Sequence, residues 1–284
     1  MNNKSKAVFL MLLSALGFAF MAAMVKLAGD IPLAEKVFFR NLVSFIVVFV
    51  ASRNSGESLI CKKENFKYVL ARSLLGLTGV FLYFYSINNL YLADSSMINK
   101  LSPIFIIIFA AIFLKEKLNA VKIISMVVAF IGVLLVIKPQ WDLSILPAAS
   151  GLLSAAFAGG AYTMVRYLKD KEKPATIVFY FSLISVVGTF PLVLLNFSKP
   201  TLNQLIYLIL IGIFAAIAQI ALTYSYKYAP ASEVAVYNYT NIIFSAILGF
   251  IIWQETPDAL SIVGGIIIIL VALVVYLYNK KNDN

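Results

Sequence analysis

Ten runs of roughly twenty apolar residues follow one another along this chain, at about 7–28, 34–51, 68–89, 93–113, 119–138, 147–167, 174–196, 203–227, 231–253 and 258–278. Coiled as a helix, a run of that length spans the hydrocarbon core of a bilayer. The runs are continuous rather than alternating, and too long for barrel strands of about 9–11 residues, so helices are expected. Composition agrees: 62% of residues are hydrophobic and only 13% charged, against about 25% charged in a soluble domain. So little charge cannot cover a soluble surface of this size, and lipid must be the solvent. Short connections leave no room for a separate soluble domain.

The net charge of +10, from 23 Lys and Arg against 13 Asp and Glu, would point to nucleic acid in a soluble protein. Here it reads as topology. With the first end placed inside and the runs alternating, seventeen basic residues fall inside and five outside (Lys26, Lys36, Arg40, Lys138 and Lys199), while Lys100 lies within a span. The positive-inside rule then puts both termini in the cytoplasm, and no nucleic-acid partner is expected. There is no His, and the one Cys, Cys61, sits in a polar loop, which excludes a disulfide framework and a His/Cys metal site. No cofactor is expected. The polar tail at 1–6 leads directly into a full-length span, so no removable signal peptide is expected.

The two halves of the chain resemble each other. Aligning Tyr85-Ser86 with Tyr224-Ser225 gives an offset of 139, which also pairs Asp94 with Glu233, Asn99 with Asn238, Ile104-Phe105 with Ile243-Phe244, and Glu116 with Glu255. Nearer the start, an offset of 140 pairs Leu12-Leu13-Ser14-Ala15 with Leu152-Leu153-Ser154-Ala155, and Met24-Val25-Lys26 with Met164-Val165-Arg166. The expected units are 1–144 and 145–284. Because five spans is an odd number, the second copy enters the membrane from the opposite side. The expected fold is an all-α integral membrane protein of ten transmembrane helices in two inverted five-helix repeats. Such repeats place a site near the midplane and open it alternately to the two sides.

The run from Ala93-Asp94 through Pro103 to Leu114-Lys115-Glu116-Lys117-Leu118, with Phe38-Phe39-Arg40-Asn41 in the second span, resembles the drug/metabolite transporter superfamily in its ten-helix EamA branch. The resemblance covers nearly the whole chain as two tandem units. It implies a carrier in a bacterial cell membrane, with a cavity lined mainly by spans 1, 3, 4, 6, 8 and 9. Cargoes in the family include amino acids, nucleosides, S-adenosylmethionine, riboflavin, choline and drug-like compounds. The second copy departs from the first in having Ile242 where Pro103 would repeat.

Span 4 carries the sharpest constellation. Ser96, Asn99, Lys100 and Pro103 follow i, i+3, i+4, i+7 spacing and share one helical face. Pro103 cannot donate to the carbonyl of Asn99, so a free carbonyl, an amide and an ammonium are expected together near the midplane. Lys100 either serves a cavity, as intramembrane charges usually do, or snorkels to the outer interface. Span 9 offers Asn238 and Asn241, with Tyr237 beside them; their alternative role is interhelical hydrogen bonding. Tyr85, Tyr162 and Tyr224 could stack on a planar or cationic group, or belong to interfacial belts. Gln219 in span 8 joins the candidates. Arg40 would snorkel or pair with Glu35 or Asp94. Asp94 and Glu233 would cap helices or make gate contacts, and Glu116 and Glu255 would link to neighbouring loops. The stripe Ala15, Ala19, Ala23 and its copies Ala155, Gly159 and Thr163 read as packing or sliding surfaces.

These readings make a secondary transporter the expected function. Its cargo would be a small polar or amphiphilic metabolite, anionic or zwitterionic because of Lys100, moved by alternating access with or without a coupling ion. The alternatives are an exporter of cationic or drug-like compounds, a membrane-embedded enzyme, or a channel. An enzyme needs a cluster of acids or metal ligands that the sequence lacks, and a channel needs rings of charge or a pore motif. No nucleotide loop supports primary pumping. Ten spans can form a carrier in one chain or in a homodimer.

Overall fold

A computed structural model describes residues 3–55, 59–113, 120–138, 145–168, 171–229 and 235–282. Among the described residues the chain is helical, with no strand. The helices are α1 (Asn3–Leu27), α2 (Leu33–Ser55), α3 (Phe66–Asn89), α4 (Leu92–Asn99), α5 (Ser102–Phe113), α6 (Ala120–Ile137), α7 (Leu146–Leu168), α8 (Pro174–Leu195), α9 (Leu202–Tyr228), α10 (Thr240–Trp253) and α11 (Ala259–Asn282). Short 3-10 turns precede α3 at Lys63–Asn65 and α10 at Ala235–Tyr239. Six helical stretches among the described residues are long and apolar enough to cross a membrane, and three further apolar helices are shorter. Large apolar side chains such as Ile124, Phe113 and Leu195 are mostly exposed, as expected of a surface solvated by lipid rather than water.

Helix ends follow local chemistry. Pro174 opens α8, where its missing N–H costs nothing. Thr201 and Gln204 form a reciprocal capping box at the start of α9. The expected span 4 is one apolar stretch, Leu92–Phe113, but it is built of two helices. The break falls at Lys100–Leu101, and Pro103 sits in the first turn of α5, where a proline is tolerated. Only Ser96, Asn99 and Lys100 therefore keep the shared register of that face.

Small residues set the packing. Ala15, Ala19, Ala22 and Ala23 are fully buried, and α1 lies along α9, with Phe20 stacked on Phe214 at 5.2 Å. On α7, a Cβ at Gly159 would come within 2.4 Å of the Phe105 Cβ, so the glycine is what lets α5 lie against α7. The stripes expected to be packing surfaces are buried against other helices. Further pairs are α3 with α7, α2 with α8, α6 with α11, α2 with α9, α3 with α8, and α1 with α10. A core cluster of Met21, Val25, Phe84, Leu92 and Ile211 joins α1, α3, α4 and α9. A second, with Met97, Ile98, Val133, Ala155 and Ile268, joins α4, α6, α7 and α11.

Candidate substrate site at the helix crossing

The break between α4 and α5 and the 3-10 turn before α10 meet inside the bundle. Lys100, at the end of α4, has φ −71° and ψ 6°; its Nζ donates to the Asn238 Oδ1 at 3.2 Å. The Tyr239 hydroxyl donates to the Lys100 carbonyl at 3.3 Å. One turn back, the Ser96 hydroxyl donates to the Ser245 Oγ at 2.7 Å, both side chains fully buried. Asn99 Nδ2 donates to the Ser154 Oγ on α7 at 3.1 Å, and Asn241 Nδ2 donates to the Ala15 carbonyl on α1 at 2.9 Å. Five predicted residues, Ser96, Asn99, Lys100, Asn238 and Asn241, thus converge where α1, α4, α7 and α10 cross. Backbone interrupted at membrane depth is tolerated only where protein or a cavity surrounds it, and transporters use such breaks to bind substrate.

The roles within the cluster differ. Asn241 is 2% exposed and tethers α10 to α1 through its Nδ2. Lys100 and Asn238 are half-buried. At that crossing Lys100 stays within the bundle, and among the described residues it meets an amide rather than a carboxylate. Ser154 and Ser245 complete the cluster. Ser245 follows Asn241 by four residues and so shares its helical face, whereas Ser154 is signalled only by its place in the repeat. Its copy, Ser14, has a fully buried hydroxyl without a hydrogen-bond partner among the described residues.

The remaining predicted residues lie elsewhere. Tyr237 is half-buried and packs against the cluster of Ala7, Met11, Leu222 and Ala229. Tyr85 is 36% exposed; Tyr224 is 46% exposed and stacks on Tyr228. Gln219 is half-buried on α9. Tyr162 is half-buried on α7 beside Arg40 and Arg72. Glu233 and Glu116 lie outside the described residues.

Arg40 corrects its expectation. It neither snorkels nor pairs with Glu35 or Asp94, but is buried with its Nη1 donating to the Asn41 Oδ1 at 2.8 Å and its guanidinium over the Phe181 ring. Glu35 instead accepts the Ser198 N–H at 2.7 Å. Lys36, counted among the outer charges, is fully buried: its Nζ donates to the carbonyls of Val25 and Gly29 and to the Asn88 Oδ1. The ammonium therefore satisfies carbonyls where α1 ends.

At the end of the bundle reached by α1, charges close the helix ends together. Glu255 forms a salt bridge with Lys26 through one oxygen and accepts the Leu92 N–H at 2.8 Å through the other. Lys26 also donates to the Leu90 carbonyl. Glu255 thus takes the role of anchoring the start of α4 that Asp94 was expected to share. Asp94 lies in the same cleft of about 420 Å³ with Lys26, Lys138, Glu255 and Asp258, and its Oδ1 has no hydrogen-bond partner among the described residues. Lys138 pairs with Asp258.

The EamA-like transporter family model matches this chain twice, at residues 5–138 and 146–277. The chain belongs to the EamA-like transporter family. It is 34% identical over 269 residues to the pseudopaline exporter CntI of Pseudomonas aeruginosa, covering 94% of each chain. It is 25% identical to the S-adenosylmethionine uptake transporter of Rickettsia bellii, covering 87% of this chain and 84% of that one. It is 24% identical to a riboflavin transporter of Vibrio cholerae over 284 residues, covering 96% and 93%. A solved crystal structure superposes with a TM-score of 0.67 over 99% of this chain and all of that one, at 16% identity, a likeness of fold. This member of the EamA-like family is therefore an integral membrane transporter and not an enzyme.

Proposed function

We propose that this protein carries a small polar metabolite, anionic or zwitterionic, across a bacterial plasma membrane by alternating access. Its ten spans form two inverted five-helix halves, 1–144 and 145–284, with both termini cytoplasmic. The observation that carries this reading is the exchange of helix partners. Under the offset of about 140 residues, α1 on α9 corresponds to α7 on α3, α2 on α9 to α8 on α3, and α1 on α10 to α7 on α5. Each of these packings has its counterpart, while α2 on α8 and α6 on α11 map onto themselves. A bundle built this way has two arrangements of similar energy, related by exchanging the shapes of the halves.

The asymmetry of the crossing supports the same mechanism. Asn99 holds Ser154, but its copy Asn238 is on Lys100, and Ser14, the copy of Ser154, is left without a partner among the described residues. In the exchanged state Asn238 turns to Ser14, and Lys100 is released to meet the carboxylate or phosphate of the cargo. Relatives that move pseudopaline, S-adenosylmethionine and riboflavin support a metabolite as cargo. Purified protein in proteoliposomes preloaded with unlabelled amino acids, nucleosides, S-adenosylmethionine or riboflavin should accumulate the matching labelled compound by counterflow, unmodified. Chemical conversion of the label, or ion conductance without counterflow, would replace the carrier with an enzyme or a channel.

A further inference from the structure

Away from the crossing, α2, α3, α7 and α8 enclose two guanidinium groups. Arg72 is 5% exposed, and its guanidinium lies 3.8 Å from the Phe181 ring centroid; Arg40 lies over the same ring at 5.5 Å. The shared ring brings the two guanidinium groups together, and each interacts electrostatically with Tyr162 on α7. Among the described residues neither has a carboxylate partner. Among those residues, too, the Nε of Arg40, the Nε and Nη1 of Arg72, and the hydroxyls of Ser182 and Ser185 on α8 are buried without hydrogen-bond partners. Two like charges held together in a low-dielectric interior, with donors unspent, are costly unless an anion joins them. A Cβ at Gly76 would come 2.9 Å from the Phe181 ring and 3.1 Å from the Arg72 Nη1, so the stack depends on a glycine there.

The other half of the chain shows that packing does not require these groups. The repeat offset carries Arg72 to Ile211, Gly76 to Ala215, and Tyr162 to Ala22, and all three lie in one apolar core cluster. The same position in the fold is filled there without a charge.

We propose that Arg40 and Arg72 form a binding site for an organic dianion, with the two guanidinium forks each taking one carboxylate and Tyr162, Ser182 and Ser185 supplying further hydroxyl donors. Planar forks match carboxylates bidentately, and in a water-poor interior such pairs are strong. Both guanidinium groups are buried here, so binding requires the helices around them to part. This adds a second anion site to the transport reading, apart from Lys100 at the crossing, and passage of the bound dianion across the membrane rests on that reading.

Equilibrium binding tests the site apart from transport. The probe is radiolabelled succinate on purified protein in neutral detergent, with acetate, phosphate and chloride as competitors at matched ionic strength. Saturable succinate binding is expected, displaced at least tenfold less well by acetate. R40Q and R72Q should abolish it. R72K keeps the charge and so the fold, but lacks the fork, and should weaken binding at least tenfold. Absence of saturable binding, equal competition by chloride or phosphate, or wild-type affinity in R72K would overturn the proposal. Counterflow of any metabolite without succinate binding refutes the site alone; succinate binding without counterflow of any compound refutes the transport reading alone.

Discussion

Lys100 and Tyr239 stand 139 residues apart, at equivalent places in the two repeats, and the hydroxyl of the second donates to the carbonyl of the first at 3.3 Å. Each marks an interruption of its helix, one before a proline and one without. The two interruptions therefore brace each other, and the Lys100 ammonium projects from the brace to Asn238.

Replacing Lys100 separates a role in cargo binding from one in folding. A half-buried ammonium held by one amide rather than a carboxylate gives little net stability. K100M is expected to leave the melting temperature unchanged or raise it slightly, while raising the counterflow KM at least tenfold. Thermal unfolding in detergent and counterflow in liposomes read the two effects independently.

Ser14 supplies a second test. Its buried hydroxyl has no partner among the described residues, so S14A removes a desolvated group, and stability should hold or rise by about 1 kcal/mol. If the exchanged state pairs Asn238 with Ser14, turnover falls several-fold with binding unchanged. Equal turnover in wild type and S14A would remove that pairing from the cycle.

Glu255 joins three chain segments. E255Q leaves the Lys26 ammonium without its counter-ion in a largely buried position, a loss of about 3–5 kcal/mol. In the double variant K26M/E255Q much of that loss should return, because no uncompensated charge remains. Melting temperatures of the wild type, two single variants and double variant measure the coupling directly.

Cys61 provides a pH signature outside the membrane. Burial, and then the neighbouring Glu172 carboxylate, push its thiol up to about 11. The nucleophilic thiolate is therefore scarce until high pH, whereas a free thiol with a pKa of about 8.5 is mostly ionised by pH 9.5. The iodoacetamide rate should keep rising about tenfold per unit to pH 10 without a plateau. E172Q lowers the pKa and should raise the rate at pH 8. As the chain's single cysteine, Cys61 makes the readout unambiguous.

The helical class, the membrane environment and the members of the crossing are legible in the sequence, because hydropathy and repeat offsets depend on local residue order. Local order does not separate Lys100 as a cavity group from Lys100 as a snorkelling one, since that depends on Asn238, 138 residues away. Arg72 is lost among the charges of the inner loops because one basic residue near a span end looks like another. Only its stacking on Phe181 and its unspent donors distinguish it. The burial of Arg40 and Lys36 escapes the sequence for a related reason: hydropathy reports that a helix is in the membrane, but not which side of it meets protein.

The Lys26–Glu255 bridge spans 229 positions of the chain. During synthesis Lys26 is made long before its counter-ion exists, and the start of α4 waits 163 positions for the carboxylate that anchors it. The early helices must therefore be held by lipid or by the insertion machinery until α10 and the segment after it arrive. Maturation of this carrier thus ends with a late, charge-driven fastening, and a polypeptide truncated before residue 255 would be left with an unmatched cation and exposed to membrane quality control.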